Sequence, residues 1–563
     1  MAEDFMTAAV KRVEAQFEKS GVSENCAAFE RKENQIEMRD GVKLHTIYYF
    51  PKEDTAEEKT YPVILTRTCY PGNDRIHRAY GEGLARRGYV YVYQYCRGRE
   101  NSEGKWEPNI NERKDGIDTM NYLVEQPWCE ILGYWGHSYT SMTGWAFADA
   151  AEGKVAAMFL EDYGTDRFTS AYEKGCFRHD ILTAWSMENA EKPVNADYRE
   201  SCRYLPQIEV DEALWGQRVP SYREYITSPN PDAALWQTGW WKQLREIPSK
   251  TKVPIYLLSG WYDHHHGSSM KTWERLNEET KQHSWLEIGA WNHFFQICLE
   301  GKEVLHPQNE EIPKMLEWFE LTLKQKEIPT QRIRAYEIGA DRWIDIVSDR
   351  LGEEGTAGSM TLYLDEKTLR EDAPEREKTR NYTFDPATPV ESIGGEALLH
   401  TMPQIGSHLQ MEPDYREDVL SFVSEPLEET CTLNGKASVR LFVESDCEDT
   451  AFTAKIMEVT PEGKAYNIRS SIATLEQGKT EAGAYEPGSV AEVQITMWNI
   501  VYTIPKGSRI RVDVSSSDFP QYHVHSNQKG LWSEKTENKI AHQTIHTGGV
   551  HASCVILPLM KKQ

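Results

Sequence analysis

Gly133-Tyr134-Trp135-Gly136-His137-Ser138-Tyr139-Thr140-Ser141-Met142-Thr143-Gly144 is the stretch on which the reading of this chain turns. The short apolar run Trp128-Cys129-Glu130-Ile131-Leu132 before it reads as a strand, and small and apolar residues at helical spacing follow it. Ser138 therefore falls on a strand-to-helix turn. In an open parallel sheet such a turn holds a hydroxyl above the strand ends, beside the first free N–H groups of the helix. The layout is that of a nucleophile elbow, Gly-x-Ser-x-Gly. Here the second glycine is replaced by Thr140, and a Gly-x-Ser turn also occurs in folds without chemistry, so the serine needs partners elsewhere in the chain.

Working outward, the N-terminal side supplies the start of a sheet. Residues 1–25 carry Phe5, Met6, Ala9, Val10, Val13 and Phe17 on one helical face and predict a surface helix. Asp40-Gly41 between alternating segments predicts a hairpin. Residues 61–70 and 88–95 read as buried strands separated by a helix rich in Ala and Arg, and 111–126 as a helix leading to the serine turn. Strand, helix, strand, helix, turn implies an open, mainly parallel sheet. The glycine loop 96–104 lacks a following Gly-Lys-Ser/Thr, which excludes a phosphate cradle.

Beyond the serine, residues 164–250 are aromatic, helical in pattern and broken by Pro193, Pro206, Pro220, Pro229 and Pro231, and they read as an inserted helical cap. Its tryptophans, among them Trp185, Trp215, Trp236, Trp240 and Trp241, are expected mostly in the cap core, with one or two facing a pocket. The sheet resumes at residues 253–263, an apolar strand with Asp263 just past its end, and again at 284–289, which runs into Ala290-Trp291-Asn292-His293. An amphipathic helix over 313–326 closes this part. From about residue 333 short alternating strands take over, such as 438–444, 453–459, 491–495 and 509–515, which predicts a β-sandwich of jelly-roll type. The expected domains are 1–163 with 251–335, a cap at 164–250, and a β domain at 336–563.

Composition narrows the function classes. With 563 residues the chain is too long for a single core. A net charge of −25 disfavours nucleic acid and anionic membranes as partners. No apolar run reaches the roughly 20 residues that span a bilayer. The acidic opening Met1-Ala2-Glu3-Asp4-Phe5 is unlike a signal peptide, and the ten cysteines are scattered without a Cys-x-x-Cys pair, which together point to the cytoplasm and to neither zinc nor disulfides.

A serine hydroxyl needs an imidazole to take its proton and a carboxylate to orient that imidazole. Ser138, Asp263 and His293 each end an apolar strand or strand loop, and their order is that of an α/β-hydrolase triad. With these residues in view the chain resembles the cocaine-esterase (CocE/NonD) type of serine hydrolase, which includes α-amino-acid ester hydrolases and is related to X-prolyl dipeptidyl peptidases. The resemblance runs through residues 38–44, Arg67-Thr68-Cys69-Tyr70, Arg97-Gly98-Arg99, Gln126-Pro127-Trp128, the elbow, Gly260-Trp261-Tyr262-Asp263, residues 289–293, Phe384-Asp385-Pro386 and residues 516–520. It implies an α/β-hydrolase fold with a helical cap and a C-terminal jelly roll that helps wall the site. It further implies Ser138 as nucleophile, His293 as base, Asp263 as its orienter, and the Tyr70 phenol with the Tyr139 N–H as oxyanion donors.

The chain departs from the family at Cys69, usually proline, and at Thr140. Where amino-acid ester hydrolases hold the substrate ammonium with carboxylates, it has His264, His265 and His266, which lowers the weight of that substrate class. The expected substrate-binding residues are Trp261, His265 and His266, the histidines being suited to a carbonyl or carboxylate on the acyl group. No metal and no cofactor is expected. The first expectation is an ester hydrolase acting on a small molecule; an amidase or X-Pro dipeptidyl peptidase on the same residues, acting on an amide or short peptide, is the alternative. A non-catalytic carbohydrate-binding protein is a third reading, and a homodimer would be unsurprising.

Overall fold

The computed structural model describes residues 5–52, 59–346, 356–397, 401–402 and 404–560. Residues 1–4 of the acidic opening, and the side chain of Phe5, lie outside these.

Ten strands make the first sheet: β1 (Ala28–Glu37), β2 (Lys43–Lys52), β3 (Tyr61–Thr68), β4 (Val90–Tyr95), β5 (Cys129–His137), β6 (Val155–Glu161), β7 (Ile255–Gly260), β8 (Trp285–Gly289), β9 (Arg332–Glu337) and β10 (Arg342–Asp345). Their spatial order is β1-β2-β4-β3-β5-β6-β7-β8-β9-β10. From β4 to β9 neighbouring strands run parallel, and β1, β2 and β10 add antiparallel edges. This is an α/β-hydrolase sheet. Its central strands are buried on both faces, which is why β4 and β7 read as unbroken apolar or aromatic runs instead of alternating ones. β5 lies between β3 and β6, so the turn after it opens at the middle of the sheet's carboxyl edge, where ligands of such folds bind.

The Asp40-Gly41 hairpin pairs Ile36 with Leu44 and Glu37 with Lys43. The N-terminal helix Phe5–Lys19 buries Val13 and Phe17, and Phe17 lies so close to Gly83 that a Cβ there would sit 2.3 Å from its ring. Between Glu161 and Ile255 the chain leaves the sheet and forms short helices, among them Arg167–Ala171, His179–Glu188, Pro220–Ile226 and Gly239–Lys250. Trp215, Trp236 and Trp241 are buried in its apolar interior.

From Thr356 onward the chain forms a separate, mainly antiparallel 13-stranded sheet. The expected strands appear as Ser438–Ser445, Ala451–Val459, Ala491–Thr496 and Arg509–Ser515. Arg469 crosses from this sheet into the first domain: it is buried, donates to Trp261 O at 2.6 Å and Asn499 O at 2.7 Å, and pairs with Glu396. None of the described helices is long and apolar enough to cross a membrane.

Candidate active site

Ser138 stands between β5 and the helix Tyr139–Trp145 with φ 56° and ψ −125°. A non-glycine residue in this region is strained by about 1–3 kcal/mol, so its surroundings must hold it there. Two features do. Gly136 lets the turn close, since a Cβ at that position would lie 2.2 Å from Thr140 O. Thr140 then braces the turn from the other side: its Oγ1 accepts from His137 N and donates to His137 O, both at 2.7 Å. The threonine that departs from the elbow pattern thus ties the two ends of the turn together.

The loop after β7 brings Asp263 to the same edge, and the loop after β8 brings His293. These loops are laced to one another by Trp261 N to Gly289 O (2.8 Å) and Tyr262 N to Trp291 O (3.1 Å). His293 Nδ1 lies 2.7 Å from Asp263 Oδ1, and His293 Nε2 lies 2.9 Å from Ser138 Oγ. Asp263 Oδ2 also accepts from His265 N at 3.0 Å. His137 Nε2 holds the His293 carbonyl at 2.8 Å, so the residue before the serine fixes the loop that carries the histidine. All three side chains therefore form one hydrogen-bonded chain.

Burial acts against charge on both members of the inner pair. It pushes the Asp263 carboxyl up, opposed by His137 and by the N–H groups of His265 and His264, and it holds His293 well below the usual imidazole range. Either way, a second proton on the pair removes the Nε2 lone pair that faces Ser138: an imidazolium has none, and a protonated Asp263 forces the tautomer with hydrogen on Nε2. Among the described residues two groups have metal-ligand geometry, His137 with Asp162 and His293, and Asp263 with His264 and His293. Both need a ring nitrogen of His293, and both of its nitrogens are already hydrogen-bonded.

Ser138 and His293 open into a cavity of about 290 Å³. Tyr70, half-buried, places its phenol beside Ser138, accepts weakly from Trp185 Nε1 at 3.4 Å, and is made a poorer acid by burial. The Tyr139 N–H opens the helix, at the end where such groups lack an intrahelical acceptor. The Tyr139 ring stacks on Trp185 (5.9 Å, 10° between planes), and its hydroxyl donates to Glu112 at 2.9 Å. From the insertion, Arg167, Ile181, Trp185 and Glu188 also line the cavity. Sequence reasoning had not assigned these four to the pocket individually, and only the expectation of one or two pocket-facing tryptophans pointed towards Trp185.

Three comparisons with known proteins bear on this geometry. Residues 40–295 match the model of X-Pro dipeptidyl-peptidase (S15 family), and residues 332–556 match the X-Pro dipeptidyl-peptidase C-terminal non-catalytic domain. The chain is 27% identical over 574 residues to cocaine esterase from Rhodococcus sp. (strain MB1 Bresler), covering 94% of this chain and 98% of that protein. The chain is a serine hydrolase, similar to the cocaine-esterase (CocE/NonD) type and related to X-Pro dipeptidyl peptidases. Its fold has solved counterparts in an α-amino acid ester hydrolase (TM-score 0.81, 21% identity, 95% of this chain and 97% of that one) and an aminopeptidase from the marine sediment archaeon Thaumarchaeota archaeon (TM-score 0.81, 21% identity, 95% and 96%).

Three expectations about the pocket of this serine hydrolase are corrected by the structure. Trp261 is fully buried and donates to Tyr336 O at 2.8 Å, away from the cavity. His266 starts the helix His266–Arg275 and turns to Ser259 Oγ (3.3 Å), Trp261 and Trp498. Successive residues entering a helix point about 100° apart, so His264 and His265 face the cavity while His266 faces the β domain. Among the described residues none from the β domain lines the cavity, whose lining runs from Tyr70 to Phe294. That domain buttresses the Asp263 loop instead, through Arg469 on Trp261 O and Trp498 against Gly267. His264 and His265 are both driven well below the imidazole range by burial, so they meet a ligand as neutral rings.

Proposed function

We propose that this protein hydrolyses a carboxylic ester through an acyl-enzyme on Ser138. The observation that carries the reading is the chain Ser138–His293–Asp263, at 2.9 and 2.7 Å, on the floor of the cavity. Ser138 Oγ attacks the ester carbonyl carbon and its proton passes to His293 Nε2, with Asp263 holding the Nδ1 tautomer. The charge that develops on the carbonyl oxygen is received by the Tyr139 N–H and the Tyr70 phenol, a pair of fixed donors in a largely dry site. Collapse expels the alcohol, protonated by His293. Water, deprotonated by the same imidazole, then attacks the acyl carbon and frees Ser138.

Esters come first because a cocaine esterase is the relative named above and its chain is matched end to end. Glu188, a carboxylate lining the cavity, supports a second reading in which a peptide amine is held and an X-Pro dipeptide released. In this reading of the architecture residues 1–163 and 251–335 form the catalytic domain, 164–250 the cap and 336–563 a jelly roll that keeps the Asp263 loop in place. Turnover of p-nitrophenyl esters set against Ala-Pro-p-nitroanilide, with Ser138→Ala in parallel, tests both. Ester cleavage that disappears in the variant sustains the first reading; anilide cleavage alone replaces it with the second.

A further inference from the structure

Arg167 is the cationic side chain among those lining the cavity, and it has no counter-charge. It is 6% exposed, begins the helix Arg167–Ala171 and borders the same space as Ser138, Tyr163 and His265. Its Nε makes no hydrogen bond, and among the described residues no carboxylate stands within ion-pair distance of its guanidinium. Its nearest flat neighbours are the rings of Tyr225 and Trp241, with centroids at 5.4 and 5.8 Å. The adjacent acid, Asp166, is turned away and engaged by Arg275 at 2.8 Å. The buried hydroxyl of Tyr163, at the same end of the cavity, lies against the guanidinium and has no acceptor for its own proton.

Burying a cation without an anion costs several kcal/mol, and aromatic faces return only part of it. Two buried donors without acceptors at one end of a binding cavity describe the complement of an anionic acceptor. The other end differs. Phe294, at 37%, and Glu188 are the exposed lining residues, and Phe294 with the half-buried His137 flanks His293, where the alcohol must leave. The closed end, where Arg167, Tyr163, Ile181 and His265 are all buried, therefore takes the part of the substrate that stays on Ser138.

We propose that Arg167, with Tyr163, binds a carboxylate at the far end of the acyl group, so that the substrates are monoesters of dicarboxylic acids. This rests on the serine hydrolase reading above. The neutral rings of His264 and His265 leave Arg167 as the positive charge at that end, and a guanidinium fork matches a carboxylate in two parallel hydrogen bonds.

The test compares mono-p-nitrophenyl glutarate with p-nitrophenyl valerate, acyl groups of equal length that differ in the terminal carboxylate, at one ionic strength. The wild type should prefer the glutarate by at least about tenfold in kcat/KM, the scale of a charged hydrogen bond in a dry site. Arg167→Gln should erase the preference through KM, and Arg167→Lys should restore part of it. Equal use of the two esters by the wild type, a preference for valerate, or an equal loss on both esters in Arg167→Gln overturns the proposal. Fluorophosphonate labelling of Ser138 separates the two levels: without an adduct and without turnover, it is the hydrolase reading that fails. Calorimetric binding of monomethyl glutarate then decides for Arg167, lost in Arg167→Gln if the proposal holds, and absent or equal in both proteins if it does not.

Discussion

Thr140→Val is the substitution that most sharply tests how the elbow is held. Valine keeps the shape of the side chain and removes the hydroxyl that bridges His137 N and His137 O at 2.7 Å each. Two short bonds at a site only 7% exposed are worth about 1 kcal/mol each, so the variant should lose about 2 kcal/mol of unfolding free energy. That equals the order of strain stored at Ser138, about 1–3 kcal/mol. Released from its brace, the turn shifts by a few tenths of an ångström and the 2.9 Å contact to His293 lengthens, which should lower kcat about tenfold with KM little changed. Urea unfolding followed by tryptophan fluorescence gives the first number and ester kinetics the second. Thr140→Gly, which restores the usual pattern, should be no more stable than Thr140→Val, because a glycine inside a helix costs about 1 kcal/mol. A Thr140→Val protein within 0.5 kcal/mol (about the scatter of surface substitutions) of the parent, with kcat unchanged, refutes this account of the elbow.

Two further outcomes follow from the site. Tyr70→Phe removes the phenol beside Ser138 and should lower kcat about 10²–10³-fold while leaving KM near the parent value, the cost of one oxyanion donor; a parent-like kcat would return Tyr70 to a packing role under Trp185. The rate should be complete on the alkaline side and fall as pH drops, along a one-proton limb, because a proton added to either Asp263 or His293 takes the Nε2 lone pair. A profile of kcat/KM from pH 5 to 9 that rises towards acid would contradict this.

The legible part of the chain was the part governed by topology. Ser138, Asp263 and His293 each follow an apolar strand, and strands of a parallel sheet end at one edge, so side chains far apart in sequence converge there without any knowledge of their rotamers. The hairpin at Asp40-Gly41 was legible for the same reason: its turn chemistry is local. The pocket was not. Arg167, Trp185 and Glu188 come from short helices of four to twelve residues in an insertion, where periodicity is too brief to say which face looks inward. The run of three histidines was read as one unit, yet a turn entering a helix splits it, two rings to the cavity and His266 to the β domain. Trp261 was misplaced because its loop position beside Asp263 says nothing of the Tyr336 carbonyl that its indole meets. Thr140 read as a defect, and its hydroxyl's two bonds to His137 were invisible without coordinates.

The central claim is that Ser138 is a nucleophile made reactive by His293. Treating the protein with a fluorophosphonate and mapping the adduct by peptide mass spectrometry addresses it most directly, with Ser138→Ala and His293→Ala alongside. One adduct on Ser138 in the parent, none in Ser138→Ala and a labelling rate reduced at least about 10³-fold in His293→Ala is the expected result, the scale seen when a triad loses its base. No adduct, an adduct on another residue, or labelling that is indifferent to His293 would contradict the account.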